Sequence, residues 1–200
     1  MYKLDVGNMI YTIKTLCLTI FFGLLLSGCS GDKKNKIKET ETTVDKLKVK
    51  NEIPEFEINF PKTKYVIKKN VSNNPNMPKV TNWILEGKDK NGPFMYCVAH
   101  NTLSKKIENL INIPNQLDIA LKAMLTSSAE NLGGFDFEYN KTDYHGYPGM
   151  ASECKVFEGN GHIKSVVYVI DKNIFFISGG GKNINIDTLN TFLASFELKK

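Results

Sequence analysis

Pro93-Phe94-Met95-Tyr96-Cys97-Val98-Ala99 is apolar at both alternating sets of positions. A strand of this kind has no face to offer water, so it belongs in a sheet covered on both sides. Gly87-Lys88-Asp89-Lys90-Asn91-Gly92 supplies a turn into it, and Trp83-Ile84-Leu85 marks a strand on the other side of that turn. Further back, Phe56-Glu57-Ile58-Asn59-Phe60 alternates apolar with polar and stops at Pro61, as a strand covered on one face does.

Downstream, Pro114-Asn115 opens a helix whose Leu117, Ala120, Leu121, Met124 and Leu125 fall on one face, and Leu132-Gly133-Gly134 closes it. Strand-like runs follow from Phe135 to Lys141, Met150 to Phe157, Ile163 to Ile170 and Ile174 to Ile177. They are separated by Tyr147-Pro148-Gly149, Gly159-Asn160-Gly161 and Asp171-Lys172-Asn173, and such short connections favour antiparallel neighbours. Ile186, Leu189, Leu193 and Phe196 then share a helical face behind an Asn185 or Asp187 cap. The expected fold class is α+β: an antiparallel β-sheet flanked by helices on both faces, an α/β/α sandwich.

The order of these features resembles the PsbP-like proteins, a family named for an extrinsic subunit of photosystem II that includes many bacterial lipoproteins. The resemblance is carried by the opening Phe-x-Ile-x-Phe-Pro, the central Tyr96-Cys97-Val98, the Tyr147-Pro148-Gly149 turn and the closing Phe192-Leu193-Ala194-Ser195-Phe196-Glu197-Leu198. It spans Ile53 to Leu198 and implies the same sandwich and a non-catalytic accessory role in the cell envelope. It brings no metal or cofactor residue with it.

The N-terminal part reads as an address. Thr15 to Leu26 is an uncharged apolar stretch behind Lys14. It is shorter than the roughly 20 residues that span a bilayer, and its flanks fit a signal-peptide core. Leu26-Ser27-Gly28-Cys29 follows and resembles the bacterial lipobox, in which a branched apolar residue and two small ones let the extended backbone enter a peptidase cleft. The resemblance implies lipidation of Cys29, with Leu26, Ser27 and Gly28 as the recognised residues. Two or three acyl chains there give stable anchoring, because each buried methylene contributes about 0.8 kcal/mol and one chain alone is marginal. Asp5 sits oddly in a signal segment, so Met9 is the expected start. Ser30 after the anchor, in place of an acid, points to the outer membrane facing the periplasm in a Gram-negative cell. Ser30 to Lys50 has little to bury and reads as a flexible tether. The expected organisation is thus a signal peptide over 1–28, a lipidated cysteine and tether over 29–50, and a globular domain over 51–200.

Of the net charge of +5, +3 falls within residues 30–50 and +1 on everything that follows. The basic balance belongs to a tail without aromatic residues, which argues against a nucleic-acid partner.

No catalytic or metal motif stands out, and no cofactor is expected. Cys97 and Cys154 are the thiols left once Cys29 is acylated and Cys17 is removed with the signal. They either pair in an oxidising envelope or lie as buried free thiols. His100, His145 and His162 are the whole histidine inventory and have no companions at defined spacing. Gly179-Gly180-Gly181-Lys182 lacks the Ser/Thr and spacing of a phosphate loop, so a flexible strand-to-helix connection is expected. Tyr144 and Tyr147, beside Asp143, either form a protein-contact patch or pack a turn. The leading functional expectation is a non-enzymatic, membrane-anchored envelope protein with a protein partner. The alternative is a binder of a small apolar or anionic ligand in a pocket between sheet and helix. An enzyme would require His100, His145 or His162 to converge with Glu153 or Asp143.

Overall fold

A computed structural model describes residues 46–49, 54–72, 79–103, 105, 108, 109, 113 and 115–199. Leu26, Ser27, Gly28, Cys29, Cys17, Met9 and the tether up to residue 45 lie outside these residues. The elements run β1 (Lys46–Val49), β2 (Phe56–Asn59), β3 (Lys68–Ser72), β4 (Val80–Asp89), β5 (Gly92–Thr102), α1 (Gln116–Glu130), β6 (Phe135–Tyr144), β7 (Tyr147–Val156), β8 (Gly161–Ile170), β9 (Asn173–Lys182), α2 (Ile186–Ala194) and β10 (Glu197–Leu198). Among the described residues no helix is long and apolar enough to cross a membrane.

Seven strands form one antiparallel sheet in the order β3-β4-β5-β9-β8-β7-β6. The chain lays down β3, β4 and β5, crosses to the far edge at β6, then returns strand by strand until β9 closes the gap beside β5. β5, β9 and β8 are therefore interior, which is why each carries apolar residues at both alternating sets of positions. Period two sorts their side chains. Tyr96, Val98, Val166, Phe175 and Ile177 belong to a front cluster with Trp83, Leu85, Leu189 and Phe192. Ala99, Val167, Val169, Ile174 and Phe176 belong to a back cluster under Leu121, Met124 and Leu125 of α1.

The expected α/β/α sandwich is overturned: the fold is β-rich, with two sheets. Phe56–Asn59, expected in the same sheet as the other strands, pairs with β1 and β10 in a second, three-stranded sheet. That sheet joins the short helix α2 in covering the front face. Phe56 docks it, with ring centroids 5.1 Å from Trp83, 5.6 Å from Phe175 and 5.7 Å from Phe196. Aromatic pairs of this geometry contribute about 0.5–1.5 kcal/mol each beyond area burial. Lys46–Val49, placed by composition in the tether, is β1, so the folded unit reaches back to residue 46.

Two turn assignments also move. Tyr147-Pro148-Gly149 lies within β7; the reversal is His145-Gly146, where both φ angles are positive (51° and 88°) and the twist matches a two-residue hairpin. Gly179-Gly180-Gly181 is no connector but the buried end of β9, paired on both sides. A Cβ on Gly180 would stand 2.8 Å from the His162 carbonyl, and one on Gly181 2.7 Å from that of Pro93. The α1 boundaries fall where periodicity put them, whereas α2 stops at Ala194, so Phe196, expected on its face, lies beyond the helix just before β10. Asn185 is the α2 cap, its Oδ1 accepting from the Asp187 N–H at 2.7 Å.

Candidate functional site

The back face carries a polar seam. Cys97, Ser178, Ser165 and Ser152 stand level across β5, β9, β8 and β7, and the Ser165 and Ser178 hydroxyls bond at 2.8 Å. The seam separates the main back cluster from a smaller one of Ala129, Cys154, Val156 and Ile163. Buried hydroxyls that satisfy each other in this way cost little.

On the smaller cluster's side α1 has ended, and a pocket of about 280 Å³ opens where β5 and β8 begin and β7 and β9 end. Met95, Leu132, Val156, Phe157, Ile163 and Gly180 line it, and Ser178 supplies the hydroxyl of the seam. Gly180 keeps the floor bare, since Ile163 occupies the space a side chain there would need.

The mouth is held in unusual backbone. Phe157 (φ 51°), Glu158 (φ 55°) and Asn183 (φ 49°) all adopt the left-handed region without being glycine. Such conformations cost on the order of 1–3 kcal/mol each and persist only where surrounding structure over-determines them. Here Asn183 supplies the constraint: its N–H donates to Asn160 O at 2.8 Å and its Nδ2 to Asn91 O at 3.1 Å. One residue thus ties the loop after β7 to the β4–β5 turn. Phe157 remains 43% exposed at the lip, an unusual place for a bulky aromatic.

The residues singled out by sequence are placed differently. Cys97 and Cys154 are free and buried. Two strands separate them, about 14 Å at normal sheet spacing and twice the reach of a disulfide. Burial pushes the Cys97 thiol up to about 12 and the Cys154 thiol up to about 11, the latter helped by neighbouring Glu153. Neither is a nucleophile near neutrality.

The three histidines do not converge. His100 stands level with Phe175 and His162 with Gly181, six residues apart along β9 or roughly 20 Å. His145 occupies the β6–β7 turn. His162 does lie beside Glu153 (Nδ1–Oε1 3.3 Å), but that carboxylate also holds Lys164 at 2.9 Å. Asp143 accepts the Gly146 N–H within its turn. Among the described residues no group of three or more His, Cys, Asp or Glu side chains is placed to hold a metal ion.

Tyr144 packs inward, 5.4 Å from Phe196 and 5.5 Å from Tyr168, and its hydroxyl accepts the Leu198 N–H at 2.9 Å. Tyr147 donates to Asp171 Oδ1 at 3.2 Å. Both are half-buried and engaged within the fold.

Sequence reasoning passed over Leu132, Phe157 and Ser178, because their neighbours come from distant strands. The signal that was present is Phe157-Glu158-Gly159 together with the glycine run. No family model matches the chain and no curated protein matches it; neither comparison identifies a PsbP-like domain or a lipoprotein.

Proposed function

We propose that this chain is a non-enzymatic, lipid-anchored cell-envelope protein whose folded domain binds a small apolar molecule. The observation that carries the reading is the open pocket beside Ile163 and Leu132, apolar apart from the Ser178 hydroxyl, with its mouth held by Asn183. Binding sites of this kind are concave, mostly apolar and largely pre-formed. A dry 150 Å³ cavity takes benzene, so a pocket of about 280 Å³ has room for about ten carbon atoms. The protein-partner alternative is less favoured, because the tyrosines that suggested it are spent on Leu198 and Asp171. Membrane attachment rests on the Leu26-Ser27-Gly28-Cys29 pattern.

One experiment tests both halves. The full chain and Cys29→Ser are fractionated between membrane and soluble extract, and each is titrated calorimetrically with decan-1-ol. The wild type is expected with membranes and Cys29→Ser, made without the signal stretch, in the extract, both binding decanol. A correctly folded Leu132→Trp variant, which fills the pocket, is expected to lose that binding. Equal decanol binding by Leu132→Trp would contradict the pocket assignment, and a soluble wild type would contradict the anchor.

A further inference from the structure

The pocket is apolar, but the strand that floors it does not end apolar. Along β9, period two puts Ser178, Gly180 and Lys182 on the same face of the sheet, about 7 Å apart at each step. Lys182 therefore follows directly on the pocket floor at its outer end, where it is exposed.

That charge has no direct partner: Lys182 makes no ion pair among the described residues. The acid of the adjoining turn, Asp89, accepts the Asn91 and Gly92 N–H groups at 2.7 and 3.2 Å and forms no ion pair with Lys182. Lys90 on that turn adds a second positive charge, and Glu158 on the opposite lip is the counterweight. The lysine is also held near the mouth: a Cβ on Gly92 would stand 2.8 Å from the Lys182 Cβ, so its stem runs against the turn that Asn183 ties down.

Resting on the pocket reading above, we infer that the ligand is an amphiphile: a linear apolar tail of about ten carbons enters between Leu132, Ile163 and Gly180, and a single terminal carboxylate remains at the mouth against Lys182. A long methylene stem lies along apolar surface while its ammonium stays in water, which suits a headgroup that is never fully desolvated. An exposed contact of this type is modest, worth about a threefold to fivefold gain in affinity, and is weakened by salt.

The test compares decanoate with decan-1-ol at pH 8 and low ionic strength, by calorimetry on the full chain, Lys182→Gln and Lys182→Arg. Decanoate is expected to bind about threefold to fivefold tighter than decanol. That advantage is expected to vanish in Lys182→Gln, persist in Lys182→Arg and shrink in added salt. Equal affinities in the wild type, or an advantage that survives Lys182→Gln, overturns the carboxylate assignment while leaving an apolar pocket in place. Failure of both ligands to bind removes the pocket reading itself.

Discussion

Replacing Gly180 with alanine separates two physical pictures of the glycine run. In a flexible connection, alanine narrows the unfolded ensemble and stabilises by about 0.4–1 kcal/mol. In β9 the added methyl meets the Ile163 Cγ1 at 2.7 Å and the His162 carbonyl at 2.8 Å. The first neighbour is able to rotate away at the expense of its rotamer. The second is ladder backbone, so β8 and β9 must part by several tenths of an ångström. Overpacking of this kind costs about 1–3 kcal/mol, and the unfolded-state gain offsets only part of it. A net loss of about 1–2 kcal/mol lowers the melting temperature by roughly 3–8 °C for a domain of this size. Thermal unfolding followed by far-ultraviolet circular dichroism reads the shift, and urea titration reads the same loss as a lowered midpoint with an unchanged slope. A variant that melts at or above the wild-type temperature would refute the placement of Gly180 inside the sheet.

Two further outcomes follow from buried or paired groups. Lys46 at 2.6 Å and Lys199 at 3.1 Å hold the Glu57 carboxyl down at about 2, against an ordinary 4.5, with Lys48 at 3.5 Å nearby. Because the folded value is depressed, the pairing stabilises fully above the unfolded value and is lost as pH falls toward 2. Glu57→Gln should therefore be less stable than the wild type above about pH 5 and indistinguishable from it near pH 2 in urea titrations; a gap that is flat with pH would contradict the ion-pair account. Cys97 and Cys154, buried and with raised pKa values, should resist a soluble disulfide reagent at pH 8 in folded protein carrying Cys29→Ser and lacking the signal stretch, and both should react in urea. Prompt labelling of the folded chain, or an internal disulfide on non-reducing mass analysis, would count against it.

What was legible in the sequence was local. β5, β8 and β9 announced themselves because burial on both faces leaves an unbroken apolar run, and α2 because Asn185 caps a periodic apolar stripe. The second sheet was not legible. β1 is four residues inside a lysine-rich segment and β10 only two, and each acquires its meaning from pairing with β2. Glycine and proline misled for a related reason. At Gly149 the backbone comes close to the Val167 carbonyl, and at Gly181 to that of Pro93, so small residues answer to neighbours far off in sequence rather than to a turn. The pocket shares that origin: Met95, Leu132, Val156, Ile163 and Ser178 come from five separate stretches, and no local spacing connects them.

Entry of an apolar ligand into this pocket is the decisive event to observe. Decanol titrated into the protein carrying labelled methyl groups, followed by proton–carbon correlation spectra, reads each lining residue individually. Ligand entry is expected to give saturable shifts at the Met95, Leu132, Val156 and Ile163 methyls, with Met124 in the main back cluster and Leu189 on the front face unmoved. Shifts that appear elsewhere while these four methyls stay fixed, or none at any accessible concentration, would contradict it.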